Sequence, residues 1–163
     1  MDLYNDPFFT YADYCWPVVY RDCDFPVRRQ RQTRTCYAFS TVDAISASYY
    51  MATGQNFRCS EQECLDFFIS DAFDYVKQFG LSRDSDYPFL GQWQNVPWTD
   101  RLKTVPIGPR IYITDYMRLG GDRKVGRVLE IDHETIRRNL RMMGPLVVGL
   151  PVVAEPKIYI AEG

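Results

Sequence analysis

A chain of 163 residues is long enough for one domain with a sizeable core, and its 46% apolar and 15% aromatic content is that of a globular protein. A formal net charge of -2 gives no reason to expect nucleic acid or an acidic membrane surface as partner. No stretch reaches the roughly 18 uninterrupted apolar residues of a membrane helix, and the acidic, polar opening Met1 to Asp6 lacks the basic-then-apolar order of a secretory leader.

Five cysteines, Cys15, Cys23, Cys36, Cys59 and Cys64, make an odd number, so at least one thiol lies outside any internal pair. With no leader in view, free thiols in a reducing, cytoplasmic compartment are the simpler expectation. Cys59 and Cys64 have no histidine near them in the sequence, so neither a metal site nor a cofactor is expected. The run Arg28, Arg29, Arg31 and Arg34 reads as a solvated loop in preference to a binding patch.

Residues 1–25 are aromatic-rich and irregular, with Pro7, Pro17 and Pro26 interrupting any long element. From Thr35 to Ala52 the positions Ala38, Phe39, Val42, Ile45, Tyr49 and Met51 approximate helical spacing, and Thr53-Gly54 supplies the stop. Ser60-Glu61-Gln62-Glu63 has the capping-box pattern and predicts a helix from about Glu61 to Ile69. A second amphipathic stretch runs from Asp71 to Phe79 and ends at Gly80. Tyr87-Pro88-Phe89 onward to Pro109 reads as a loop carrying Trp93 and Trp98.

Ile111-Tyr112-Ile113 with Tyr116 predicts a strand, and Gly120-Gly121-Asp122 is turn chemistry. His133 to Met143 is a predicted helix capped by Asp132, broken by Gly144-Pro145. Leu146 to Val153 is an apolar strand in this reading, and Lys157 to Ala161 a second one. Helices in the first half and strands in the second give an α+β class.

The segment Arg34-Thr35-Cys36-Tyr37-Ala38-Phe39-Ser40 resembles Gly-Ser-Cys-Trp-Ala-Phe-Ser, the sequence around the nucleophile of the papain-like cysteine proteases. Its flanks extend the likeness. Gln30 stands six residues before the cysteine, and Ser60-Glu61-Gln62-Glu63 with Leu65-Asp66 is similar to the family's Ser-Glu-Gln-Glu-Leu-Val-Asp-Cys. Ala72-Phe73, Tyr75-Val76 and Ser85-x-Tyr87-Pro88-Phe89 fit the next helix and turn. More loosely, Ile113 to Tyr116, Gly144-Pro145-Leu146-Val147-Val148 and Tyr159 to Gly163 resemble later strands.

The resemblance covers about residues 26–163. It implies a papain-like fold with an N-terminal extension over 1–25, a helical lobe over 26–104 and an incomplete β-barrel lobe over 105–163. It also implies Cys36 as the nucleophile position and Gln30 as the oxyanion donor.

Thiol peptidases need a thiolate beside an imidazolium, a group that orients the imidazole, and donors for the oxyanion. The sequence holds one histidine, His133, on the helix before Gly144-Pro145, whereas the family's catalytic histidine lies beyond the following strand. His133 is therefore expected as an exposed first-turn residue. Loss of one member of such a unit typically removes on the order of 10⁴-fold of rate, so efficient peptide hydrolysis by this chain alone is not expected. Thr33 and Phe67 stand where the resemblance places one disulfide, and the family's Cys-x-Gly-Gly cleft wall is missing between Phe68 and Ala72.

Two readings follow. One is an inactive papain-like protein acting by protein–protein contact, as decoy, inhibitor or assembly partner. The other is one chain of a split or processed cysteine endopeptidase whose histidine comes from another chain. For Cys36 this leaves open a relic thiol, a reactive but non-proteolytic thiol, or a nucleophile completed elsewhere. An unfinished barrel would expose strand edges and an apolar face, so a partner protein or a second copy is expected to cover it.

Overall fold

The computed structural model describes residues 28–31, 33–67, 71–105, 107–119 and 131–149. Over these the chain is helical: α1 is Cys36–Thr53, α2 Glu61–Asp66, α3 Ala72–Phe79, then a 3₁₀ turn Trp98–Asp100 leads into α4 Arg101–Thr104, and α5 is His133–Met143.

Helix α1 follows its apolar spacing. Ala38, Val42 and Ile45 turn inward and are buried, and Gly54, left-handed at φ 69°, closes the helix by donating its N–H to Tyr50 O at 2.7 Å. Helices α2 and α3 pack on α1 and on each other. Phe57, Cys59, Cys64, Phe67, Tyr75, Val76 and Leu81 complete one core with the inner face of α1. Helix α3 begins at Asp71, whose carboxylate accepts from Phe73 N at 2.8 Å, and ends at Gly80.

The capping box is half realised. Ser60 Oγ accepts from Glu63 N at 3.0 Å, as expected. The Glu63 carboxylate does not reach back to the Ser60 N–H, which instead donates to Ser82 O at 3.0 Å. Glu63 is fully buried and turns into the core. There it accepts from Tyr75 Oη at 2.7 Å, Ser82 N at 2.9 Å and Ser82 Oγ at 2.6 Å, and it pairs with Arg110 and Arg101. A buried carboxylate is tolerable only with such saturation. Helix α2 also stops sooner than its pattern suggests, at Asp66, because Phe67 leaves helical geometry and sinks into the core beside Tyr87.

The predicted strand at 111–116 is not formed. Only Ile111 pairs, in an isolated antiparallel bridge with Leu81, and Tyr112 is exposed. Leu146 to Gly149 is likewise irregular, with Val147 and Val148 exposed. A strand exists only by pairing, and among the described residues no neighbour runs beside either segment. The predicted strand at 157–161, the turn at 120–122, the extension at 1–25 and the end of the run to Val153 lie outside the described residues.

Within the long loop 87–109, the 3₁₀ turn and α4 were not foreseen. Asp100 N donates to Pro97 O at 2.8 Å, and the α4 residue Arg101 is buried, its guanidinium stacked over Phe79 and donating to Tyr75 Oη at 2.8 Å. Helix α5 has the predicted bounds, with Asp132 accepting from Thr135 N at 2.8 Å. It packs against none of the other helices and buries no residue.

Candidate active site around Cys36

Cys36 is the first residue of α1, and its thiol is exposed and free. Thr35 occupies the N-cap position without capping the helix. Its buried side chain meets the Thr33 hydroxyl at 2.5 Å, while its carbonyl accepts from Ala38 N at 2.9 Å and Phe39 N at 3.2 Å. No acidic residue sits in the first turn. The helix end therefore presents its positive partial charge to Cys36 without a side-chain oxygen to absorb it. Among the described residues the Cys36 sulfur has no hydrogen-bond partner.

The loop ahead of it is anchored by Arg28, which pairs with Asp43 of α1 and Glu61 of α2 and lies over the Phe39 ring at 5.4 Å. Gln30 O accepts from Thr33 N at 3.4 Å, closing a turn, and Thr33 Oγ1 donates to the same carbonyl. Arg31 at φ 57° and Arg34 at φ 52° are both left-handed, a conformation that L side chains adopt at a cost. Gln30 is exposed and shares this loop with Cys36, with no hydrogen bond between the two.

His133 is exposed at the first position of α5, as expected, and makes no hydrogen bond to Cys36. Thr33 makes local bonds and Phe67 is core, so the two positions where the resemblance places a disulfide hold a turn residue and a packing residue. Phe68 to Ser70, at the start of the stretch where the resemblance places a cleft wall, lie outside the described residues.

Cys59 and Cys64 are chemically the opposite of Cys36. Both are buried and free; burial pushes the Cys59 thiol up to about 12 and raises that of Cys64 as well. Among the described cysteines only Cys36 is placed to react. Among the described residues there is no group of histidine, cysteine and carboxylate side chains suited to a metal ion.

One contact beside the site has no counterpart in the sequence pattern. Loop 87–94 is pinned to α2 by two side chains that periodicity alone marks as polar surface. Gln62 donates to Gln92 O at 2.8 Å and accepts from Leu90 N at 2.8 Å, while Asp66 accepts from Gln94 N at 2.8 Å and Tyr87 Oη at 3.0 Å. Only the run of four polar residues in one helical turn hinted that this face is buried against backbone.

Known proteins resemble this chain over much of its length. The family model of the papain family cysteine proteases matches residues 20–161. A thiol protease aleurain-like of Arabidopsis thaliana is 28% identical over 82% of this chain and 37% of its own length. Mexicain of Jacaratia mexicana is 26% identical over 68% of this chain and 54% of its own. A solved cysteine protease of Carica candamarcensis is 30% identical with a TM-score of 0.48, covering 58% of this chain and 46% of that one. The chain thus spans from about a third to about half the length of these curated relatives. It belongs to the papain family of cysteine proteases.

Proposed function

We propose that these 163 residues do not hydrolyse peptides by themselves and act as an inactive papain-family protein through contact with other proteins. The observation that carries this reading is the pairing of an exposed Cys36 with a lone histidine spent elsewhere. His133 heads a helix that packs on no other helix, so the thiol has no imidazole to deprotonate it or to protonate a leaving amine. Exposed Met117, Met142, Met143, Val147 and Val148 support a contact role, because a partner or a second copy would remove them from water. A reducing compartment goes with this reading, and the buried free thiols Cys59 and Cys64 suit it.

A second reading has its own observation. The open, uncapped N-terminus of α1 and its intact packing on α2 and α3 are what a functioning nucleophile helix requires. In that reading Cys36 is the nucleophile and Gln30 the oxyanion donor, and the imidazole is supplied from outside these residues. A papain-directed epoxide separates the two. Stoichiometric labelling of the chain at Cys36, abolished by Cys36→Ser, would overturn the inactive reading. Absence of labelling in the native assembly would count against the second.

A further inference from the structure

We infer that the loop leading into Cys36 is a docking surface for an acidic peptide segment, with Arg29, Arg31 and Arg34 as its cationic rim. The inference deepens the contact role proposed above and names the chemistry of the partner. All three arginines are exposed. Arg28, their neighbour, is drawn inward and pairs with Asp43 and Glu61. Among the described residues none of Arg29, Arg31 and Arg34 makes an ion pair, whereas the exposed Lys77, Lys103 and Arg137 each find an acidic partner.

Backbone geometry keeps the three charges together. Gln30 O and Thr33 N close a turn, and Arg31 within it and Arg34 just after it both hold left-handed backbone. A side chain in that conformation at two places in four residues is an imposed arrangement, since glycine would hold the same turn without strain. The Arg31 side chain is further fixed by lying against Gly91. A Cβ added at Gly91 would come within 2.7 Å of Arg31 Cδ, so this contact exists only because position 91 is glycine. Gly91 belongs to the loop pinned by Gln62 and Asp66, so the Arg31 side chain rests on a segment tied to α2.

Three cations without an ion-pair partner among the described residues, beside the positive end of α1 with no acid in its first turn, select a negatively charged occupant. A peptide fits better than nucleic acid. The rim is small, the whole chain carries a net charge of -2, and the loop 28–35 contains no aromatic residue to stack a base.

The test is fluorescence anisotropy on the full chain with a labelled Asp/Glu-rich peptide, its Lys-rich counterpart, and single-stranded DNA of equal charge, at low and at high salt. The acidic peptide is expected to bind at low salt and to slow alkylation of Cys36. Arg29→Gln, Arg31→Gln and Arg34→Gln should each weaken it by about two- to five-fold, the range of exposed ion pairs. Arg138→Gln on α5 should leave it unchanged. Binding indifferent to the three substitutions, or DNA held as tightly as the peptide, would overturn the inference. Epoxide labelling of Cys36 with peptide binding intact would overturn only the inactive reading and leave this one standing.

Discussion

The Tyr75 hydroxyl donates to Glu63 Oε1 at 2.7 Å in a place where neither side chain meets solvent. That bond joins α2 to α3, and Arg110 and Arg101 complete the charge on the same carboxylate. Burial and the adjacent Glu63 carboxylate hold the Tyr75 hydroxyl well above the usual phenol range, so it remains a donor at any working pH.

Removing the donor and removing the acceptor should therefore differ in scale. Tyr75→Phe deletes one bond to a charged group and is expected to cost about 1.5–3 kcal/mol. Glu63→Ala takes the shared carboxylate from the buried Arg101 and the partly buried Arg110 and should cost about 3–5 kcal/mol, a large share of the stability of an ordinary domain. Urea unfolding followed by circular dichroism checks both. Equal losses would show that the arginines are not dependent on Glu63.

Thiol reactivity should divide sharply. In the folded chain Cys36 is expected to react with an alkylating reagent while Cys59 and Cys64 stay unmodified until denaturant is added, as read by peptide mass mapping. The Cys59 shift also predicts alkaline sensitivity. Its folded pKa of about 12 lies above the ordinary thiol value near 9, so the neutral form stabilises the fold at neutral pH. That contribution is complete below pH 9 and fades as pH rises toward 12. The advantage of wild type over Cys59→Ala should therefore shrink by about 1–2 kcal/mol between pH 9 and pH 10.5. A constant difference across that range would mean that Cys59 ionises without penalty.

Gly80 closes α3 at φ 69° and ψ -179°, a region open to glycine alone, and a Cβ there would sit 2.9 Å from Ile111 O. Gly80→Ala is expected to cost about 1–3 kcal/mol. It should also speed amide exchange at Leu81 and Ile111, whose mutual bonds of 2.8 and 2.9 Å lie next to it, before any change appears at Val42 in α1. Uniform exchange across the chain would show a global loss in place of a local one.

The helices were legible because each carries its own punctuation. Thr53-Gly54, Asp71 with Gly80, and Asp132 with Gly144 bracket apolar periods that need no distant partner to be read. The papain resemblance was legible for the same local reason, in the residues around Cys36 and Ser60 to Asp66. What sequence could not yield was pairing and burial. Ile111 to Tyr116 looks like a strand by composition, yet only Ile111 finds a partner, and that partner, Leu81, is far off in the chain. Glu63 was readable as a cap residue, and nothing local revealed that Arg101, Arg110 and Tyr75 would converge on it. The left-handed arginines were equally hidden, since pattern rules reserve that conformation for glycine and asparagine.

Arg34 offers the last prediction, because stability and contact should move in opposite directions there. Its φ of 52° strains an L side chain, and no hydrogen bond or ion pair of its side chain offsets that strain among the described residues. Arg34→Gly removes a penalty of about 1–2 kcal/mol and returns about 0.5–1 kcal/mol through a freer unfolded chain. A net gain of about 0.5–1 kcal/mol is expected, visible as a raised melting temperature. The same substitution takes one cation from the rim and should weaken acidic-peptide binding about two- to five-fold. Arg31→Gly should gain less, since it also forfeits the contact with Gly91. A destabilised Arg34→Gly would mean that the arginine is held by contacts that outweigh its backbone strain, and a more stable variant with undiminished binding would separate the strain from any docking role.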